Sequence, residues 1–393
     1  MARIKPSATY GKNPPLAAIT KCQPRFLEWL RQLVEIESPS DSKPDVDRCA
    51  DAAADLAASL GARVRRLRQR AFGDTLELRF GPSRRGVRPL MLLGHLDTVW
   101  PMGTLASMPF RIADGCAWGP GVLDMKAGVV MAFTALHVLR EADALRRPVT
   151  VLLSSDEEVG STVSRSIIEK LAQESSAVFV LEPAQGLNGA YKTARKGVGG
   201  YIVRVEGIAS HAGVDFERGH SAIHELAYQL EKIRSFTELD RGLTVNAGVI
   251  RGGTRTNVVA AEAEAEIDVR IARLKDAARI DRRFRSLRAR DHRCVLHVEG
   301  GMNRPPMERS RGTVALFRRA ATLAAGMGFA LAEAATGGGS DGNFTAALGV
   351  PTLDGMGAVG EGAHASHESV LLKDLIPRTA LLAEMIRSTG HAT

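Results

Sequence analysis

Apolar residues in this chain recur at two spacings, and the places where one gives way to the other mark out its elements. Between Phe26 and Val34 they fall at i, i+3, i+4 and i+7, the stripe of an amphipathic helix, and Ser38-Pro39-Ser40 closes it. An Ala-rich second helix is predicted over 46–60, ending at Gly61. Beyond it, short apolar runs alternate with longer helical stretches: strands over 75–80, 89–93, 148–154 and 178–181, helices over 126–141 and 162–174. Runs that are apolar on both faces belong to strands buried on both sides, so this half predicts a sheet covered by helices front and back.

From about Arg195 the texture changes. Strand-like alternation over 201–206 is followed by a helix over 221–235, strands over 243–250 and 258–271, a helix over 277–289 and a strand over 294–298. That order, βαββαβ, is the split βαβ pattern of a self-contained small domain. The first rhythm then resumes with a helix over 313–325, a strand over 329–334, a short helix over 344–348 and a helix over 376–388. The expected division is therefore one domain in two parts, 1–193 and 305–393, with 194–304 inserted between them. A length of 393 residues, beyond what one core usually supports, agrees with that.

Composition adds little: 45% hydrophobic and 24% charged residues describe an ordinary globular chain. No run of about 18 uncharged apolar residues is present, and the opening Met1-Ala2-Arg3-Ile4-Lys5-Pro6 has no apolar segment behind it, so neither a membrane nor an exported location is expected. The expected location is cytoplasmic. The four cysteines, Cys22, Cys49, Cys116 and Cys294, are far apart and form no Cys-x-x-Cys pair, which excludes a zinc knuckle and a disulfide framework. A net charge of +8 would suit an anionic partner and is concentrated over 63–70 and 279–290. In the second segment Ile280, Phe284 and Leu287 keep helical spacing, which is the signature of a helix with a solvated basic face.

The chemistry lies at the ends of the apolar runs. His95 and Asp97 follow Leu90-Met91-Leu92-Leu93-Gly94, just past the carboxyl end of a buried strand, where open α/β sheets place their ligands. A histidine ligand needs its second ring nitrogen held by an acceptor, and a carboxylate two residues on can supply it; taken alone, the pair reads as well as a structural histidine. Asp124 closes Gly119-Pro120-Gly121-Val122-Leu123 ahead of a helix and by itself reads as an N-cap. Asp156-Glu157-Glu158 ends another strand. Three adjacent carboxylates repel one another unless a cation compensates, with one Glu as ligand and its neighbour free for proton transfer; the other reading is an acidic helix start. Glu182 ends the run 178–181, and His364 lies in the Gly-rich stretch 357–364. Carboxylates and imidazoles that recur at strand ends without cysteine suit zinc in a hydrolytic site.

These motifs resemble the dizinc metallopeptidases that include glutamate carboxypeptidase, aminoacylase, acetylornithine deacetylase and succinyl-diaminopimelate desuccinylase. The matching text is Gly94-His95-Leu96-Asp97-Thr98-Val99, the stretch 119–128, Asp156-Glu157-Glu158-Val159-Gly160-Ser161, Glu182-Pro183, Ser210-His211-Ala212-Gly213, the stretch 253–259, and Gly337-Gly338-Gly339-Ser340-Asp341. The motifs fall in the family's order from about Phe26 to the C-terminus, closest in text to the glutamate carboxypeptidases. The resemblance implies an α/β fold, a mixed-sheet catalytic domain covered by helices with an inserted ferredoxin-like α+β (βαββαβ) dimerisation domain. It implies two zinc ions bridged by Asp124, one completed by His95 and Glu182, the other by Glu158 and His364; cobalt or manganese would suit the same donors. Glu157 becomes the general base and Asp97 the partner of His95. In the inserted domain the resemblance makes His211 the residue that stabilises the oxyanion in the active site of a second subunit, and gives Asn257 and Arg270 the substrate carboxylate.

Two features depart from the pattern or leave it open. Met125 follows the bridging Asp where glutamate carboxypeptidases often carry a second Asp, which bears on substrate and not on metal. Both His364 and His367 are available, and His364 is chosen because the family's ligand lies four or five residues before a Glu, here Glu368. Lys192, Arg195, Lys196 and Arg304 are further anion contacts to consider. The expected function is hydrolysis of an amide that releases an amino acid with a free carboxylate, glutamate-like, from an N-acyl or peptide conjugate, by a homodimer. The alternatives are an aminoacylase or deacetylase acting on N-acyl amino acids such as N-acetylornithine, and a non-catalytic binding protein on the same fold. A nucleic-acid partner is not expected, because no aromatic platform or reading motif accompanies the basic segments.

Overall fold

The computed structural model describes residues 16–389, so the opening Met1–Pro6, read above for a leader, lies outside the described residues. The chain divides into two compact units. One is the chain up to Ala194 with Arg309–Thr336 and everything from Ser340 onward; the other is Arg195–Glu308 with Gly337–Gly339.

A six-stranded sheet organises the first unit. In spatial order its strands are Arg63–Leu67, Thr75–Phe80, Val149–Ser154, Leu90–His95, Ala177–Val180 and Thr352–Leu353. The first three pair antiparallel, and from Val149–Ser154 onward the strands run parallel, so the sheet is mixed. Side chains alternate across it. Leu90 and Leu92 join a core with Phe26, Leu30, Ala53, Phe133 and Leu381, from helices Gln23–Val34, Lys43–Ser59, Ala127–Glu141 and Leu372–Ser388. Met91 and Leu93 point the other way, into a core with Ile168, Leu171 and Phe344. Both faces being covered explains why these strands read as unbroken apolar runs. The segment Val122–Glu141 is apolar enough by composition to cross a membrane, yet 89% of its most apolar 18-residue window is buried within the protein, where it forms the central core helix.

A second, smaller sheet in this unit comes from strands too short to show a period: Gly360–Glu361, Ser369–Leu371, Cys116–Trp118 and Arg111–Ala113, in that order. Ser369 stands opposite Trp118 and Val370 opposite Ala117. This pairing lays the loop after Trp118 beside the loop before Ser369.

The second unit has the βαββαβ order. Its sheet runs Thr244–Gly252, Glu262–Ile271, Gly197–Glu206, Val295–Arg304, every neighbour antiparallel. Tyr201, Val203, Val205, Ala265, Ile267 and Val269 form one buried face under the helices Ala222–Arg234 and Lys275–Arg285. Phe284 stacks on Tyr201 with ring centroids 3.8 Å apart.

Some expected boundaries move. The basic run 63–70, noted above only as a concentration of charge, contains Arg63–Leu67, the edge strand of the large sheet, a place where charged side chains discourage further pairing. The helix expected over 277–289 stops at Arg285, and the strand expected over 329–334 is Glu333–Thr336. The arginines of that helix are largely committed within the unit. Arg279 grips Glu238 through both terminal nitrogens at 2.6 and 2.9 Å, Arg283 reaches the same carboxylate at 2.8 Å, and Arg285 donates to the carbonyls of Val298 and Gly300.

Candidate metal centre

Parallel strands end at the same level, and here that level carries the acidic clusters. Register sets Leu93 beside Val180 and His95 beside Ser154. Two residues beyond Val180, Glu182 therefore arrives next to His95, and Asp156-Glu157-Glu158 leaves the neighbouring strand on the other side. The small sheet delivers the rest, since the loop after Trp118 carries Asp124 and the loop before Ser369 carries His364.

The four carboxylate and imidazole contacts centre on Asp124. Its Oδ1 lies 3.2 Å from His95 Nε2 and its Oδ2 lies 3.3 Å from His364 Nε2. His95 Nε2 is also 3.6 Å from Glu182 Oε1, and His364 Nε2 is 3.2 Å from Glu158 Oε1. Two three-residue sets result, His95–Asp124–Glu182 and Asp124–Glu158–His364, each with its donor atoms within 4.8 Å of one another.

Those spacings suit a metal. Bonds of about 2.0–2.1 Å in a tetrahedral site put ligand atoms roughly 3.3 Å apart. Glu158 Oε1 is buried with only the His364 imidazole facing it at 3.2 Å, the spacing of two donors that share one cation. The electrostatics point the same way. Burial works against a charged His95, yet the Asp124 and Glu182 carboxylates raise its pKa well above the usual value. His364 is pushed up to about 10 by Asp124 and then Glu158. Burial alone would lift Asp124, but His364 and His95 hold it well below the carboxylate range, while Glu158 is raised by burial. The pocket thus draws positive charge, and the residues present fit divalent metal ions in both sets.

Asp97 lies against His95 as expected, but reaches it mainly through its main chain. His95 Nδ1 is 2.9 Å from the main-chain carbonyl of Asp97 and 3.6 Å from its carboxylate. A carbonyl can only accept, so Nδ1 carries the proton and Nε2 is left facing Asp124. The carboxylate instead takes the backbone N–H groups of Glu157 at 3.2 Å and Glu158 at 3.1 Å, with Ser40 Oγ donating at 2.7 Å. Asp156, the third acid of that cluster, accepts from Val163 N at 2.8 Å, at the approach to helix Arg165–Glu174.

Residues 91–388 match the model of peptidase family M20/M25/M40. The chain belongs to that family. It is 28% identical over 380 residues to Carboxypeptidase G2 of Pseudomonas sp. strain RS-16, covering 94% of this chain and 90% of that one. It is 29% identical over 310 residues to a succinyl-diaminopimelate desuccinylase of Stenotrophomonas maltophilia strain K279a, 74% of this chain and 81% of the relative. The fold matches the crystal structure of aminopeptidase PepT from Bacillus cereus ATCC 10987 with a TM-score of 0.77 at 23% identity, covering 93% of this chain and 98% of that one. It matches an M20 family metallo-carboxypeptidase, Sso-CP2 from Sulfolobus solfataricus, with a TM-score of 0.74 at 15% identity, covering 92% and 98%. The chain is a hydrolytic enzyme of this M20 metallopeptidase and amidohydrolase family.

Several residues around the M20 site were not singled out for it from the sequence. Ser40 was read as part of a helix stop and proves to touch Asp97. Glu368 served only as a landmark, yet it is 1% exposed and accepts hydrogen bonds from the Asp124 loop. Asp341 accepts from Ser154 Oγ at 3.0 Å and from Ser161 Oγ, bracing the strand end and the turn after Glu158. Met125 is buried with its sulfur 3.4 Å from His95 N, so it packs under the ligand strand. Nothing local gives these residues their contacts, because the partners are far along the chain.

In the second unit, Ala212 N donates to Asn257 O at 2.9 Å and His211 bridges to Val258, so His211 and Asn257 share one end of the sheet. Arg270 lies at the other end of strand Glu262–Ile271, roughly 25 Å away at about 3.3 Å per residue. There it forks Asp268, Nε to Oδ1 at 2.9 Å and Nη2 to Oδ2 at 2.8 Å. The unit therefore does not bring these three together. Arg195, considered above as an anion contact, donates to the carbonyls of Gly338 and Gly339.

Proposed function

We propose that this enzyme is a dizinc amidohydrolase that releases an amino acid with a free α-carboxylate, glutamate-like, from an N-acyl or peptide conjugate. The observation that carries the reading is the pair of three-residue sets sharing Asp124, one imidazole on each of its oxygens. A pair of divalent ions held there would polarise an amide carbonyl and acidify a water. Glu157, next in sequence to Glu158 and held through its N–H by Asp97, would be the base that takes that water's proton and the acid that returns it to the leaving nitrogen. The likeness to Carboxypeptidase G2 over nearly the whole chain supports the carboxylate-side specificity.

The same reading assigns His211 to the oxyanion and Asn257 with Arg270 to the substrate carboxylate. Since His211 and Asn257 sit at one end of their unit and Arg270 at the other, the three serve one substrate through a homodimer. Strand Thr244–Gly252 supports that: it is an exposed sheet edge with Val249 and Ile250 open to solvent. The four unpaired cysteines support a cytoplasmic location.

The experiment compares N-benzoyl-glutamate, N-acetylornithine, other N-acetyl amino acids and dipeptides before and after chelation, with metal content measured. Hydrolysis of the glutamate conjugate that is lost on chelation and restored by zinc is expected. Full activity after exhaustive metal removal overturns the metal reading, and preference for a fixed acyl group across many amino acids replaces it with the deacylase reading. That alternative draws on the desuccinylase and on an acetylornithine deacetylase of Myxococcus xanthus, 31% identical over 192 residues.

A further inference from the structure

Glu368 is buried at 1% exposure in the loop that carries His364, and its carboxylate is surrounded by donors. Oε1 accepts from Leu123 N at 2.8 Å and Asp124 N at 3.0 Å. Oε2 accepts from Gly121 N at 2.9 Å and Trp100 Nε1 at 2.8 Å. The Glu368 main chain adds to the tie, its carbonyl accepting from Gly119 N at 3.4 Å and its N–H donating to Ala365 O at 2.9 Å. All four partners of the carboxylate are donors, which is the arrangement that holds an anion.

Three of those donors are backbone N–H groups of one short loop, Gly121, Leu123 and Asp124. The 119–124 segment folds its N–H groups inward in the manner of a nest, with Gly121 at φ 69° turning the chain so that they converge. Such a concavity ordinarily takes a free anion; here the protein supplies the anion from its own chain. The consequence is mechanical. Trp100 lies five residues past His95, Asp124 is the acid shared by the two sets and Leu123 its neighbour, and Glu368 lies four residues past His364. A single carboxylate therefore fixes the spacing among the three segments that carry His95, Asp124 and His364.

We infer that Glu368 is a positioning residue for the metal centre, setting the separation of Asp124 from His364 and through Trp100 that of the His95 segment. This rests on the reading that those residues hold metal. Glutamine at this position keeps the shape and one oxygen, but its amide group must face either the two N–H groups of Leu123 and Asp124 or the Gly121 N–H and the indole. Either choice drives donors against donors and loosens the loop at Asp124.

The test measures divalent-metal affinity by competition with a chromophoric chelator, using zinc and cobalt, alongside kcat and KM on the preferred N-acyl amino acid. For E368Q the weaker-binding ion is expected to lose at least 10-fold in affinity and kcat to fall about 100-fold, with KM within about threefold. E368D keeps the charge but withdraws it by one methylene, and is expected to fall between, with about a threefold to fivefold loss in affinity and a shifted cobalt absorption spectrum. A merely structural role would lower the melting temperature and leave metal affinity and spectrum of the folded fraction unchanged. Either folded variant with wild-type metal affinity overturns the inference, and E368D decides it should E368Q not fold. A wild-type protein that holds no divalent ion overturns the metal reading and this inference with it, whereas normal wild-type binding with unperturbed variants overturns this inference alone.

Discussion

Replacing Asp97 by asparagine separates two roles that its carboxylate performs at once. Asp97 is fully buried, and its oxygens are shared between the backbone N–H of Glu157 on Oδ1 and both the Glu158 N–H and the Ser40 hydroxyl on Oδ2. Asparagine has one accepting oxygen. Turned toward Glu158 and Ser40 it keeps two hydrogen bonds and gives up one; turned toward Glu157 it keeps one. The first orientation wins, so the sacrificed contact is the N–H of Glu157, which then faces an amide N–H2 in a buried site. Losing this bond to a charged group and leaving the Glu157 N–H unsatisfied costs about 1.5–3 kcal/mol. Because the strain falls on Glu157 and not on Glu158, D97N is expected to retain its full metal content while kcat drops about 100-fold with little change in KM. Urea denaturation of the metal-free protein gives the stability term, elemental analysis gives occupancy, and steady-state kinetics gives the split. A kcat within threefold of wild type, or loss of metal in step with activity, refutes the reasoning, since the first says the carboxylate does not hold Glu157 and the second says it holds Glu158 instead.

Three other consequences can be checked independently. A Cβ at Gly128 would meet the Leu181 carbonyl oxygen at 2.1 Å, a backbone atom that cannot swing aside, so G128A should destabilise by about 1–3 kcal/mol despite better helix propensity and should weaken metal binding by displacing Glu182; wild-type stability with wild-type metal affinity would show that the helix is free to move. Burial pushes Glu384 up to about 7 from an ordinary 4.5, against the pull of Arg387. A raised carboxyl contributes stability that is complete below pH 4.5 and lost as pH rises through 7, so wild type should lose about 2–3 kcal/mol relative to E384Q between pH 4.5 and 8, read from paired urea melts, and parallel profiles would contradict it. Removing His364 should cost one metal ion per chain, whereas H367A should keep the wild-type complement; the reverse result would exchange the two histidines.

How much of this was legible in advance depended on whether a residue's partners were local. Leu90–His95 and Val149–Ser154 could be read because burial on both faces makes a strand uniformly apolar, and the acids that follow stand out against that background. Arg63–Leu67 could not, since an edge strand exposes its side chains and alternates charge with apolar residues like any surface segment. The short strands Cys116–Trp118 and Ser369–Leu371 span too few residues to display a period, yet their pairing is what joins Asp124 to His364. The same reasoning sorts the site itself. His95, Asp124 and Glu182 are each the first polar residue after an apolar run, Glu158 closes the acidic cluster that follows one, and His364 is one of two imidazoles in a Gly-rich loop. Asp97 was visible as a partner, but spacing alone sent its carboxylate to the nearest imidazole, and in the folded chain two backbone N–H groups and a serine hydroxyl compete for it more effectively. Ser40 was visible only as part of a helix stop and Glu368 only as the landmark for His364, and neither carried a sign of its contacts. The Trp100–Glu368 contact spans 268 positions and the Ser40–Asp97 contact 57, and each matters for what converges on it, a property that no window along the sequence contains. Residues that donate chemistry are therefore found by where runs end, whereas residues that hold those donors in place are found only by asking where buried backbone N–H groups go.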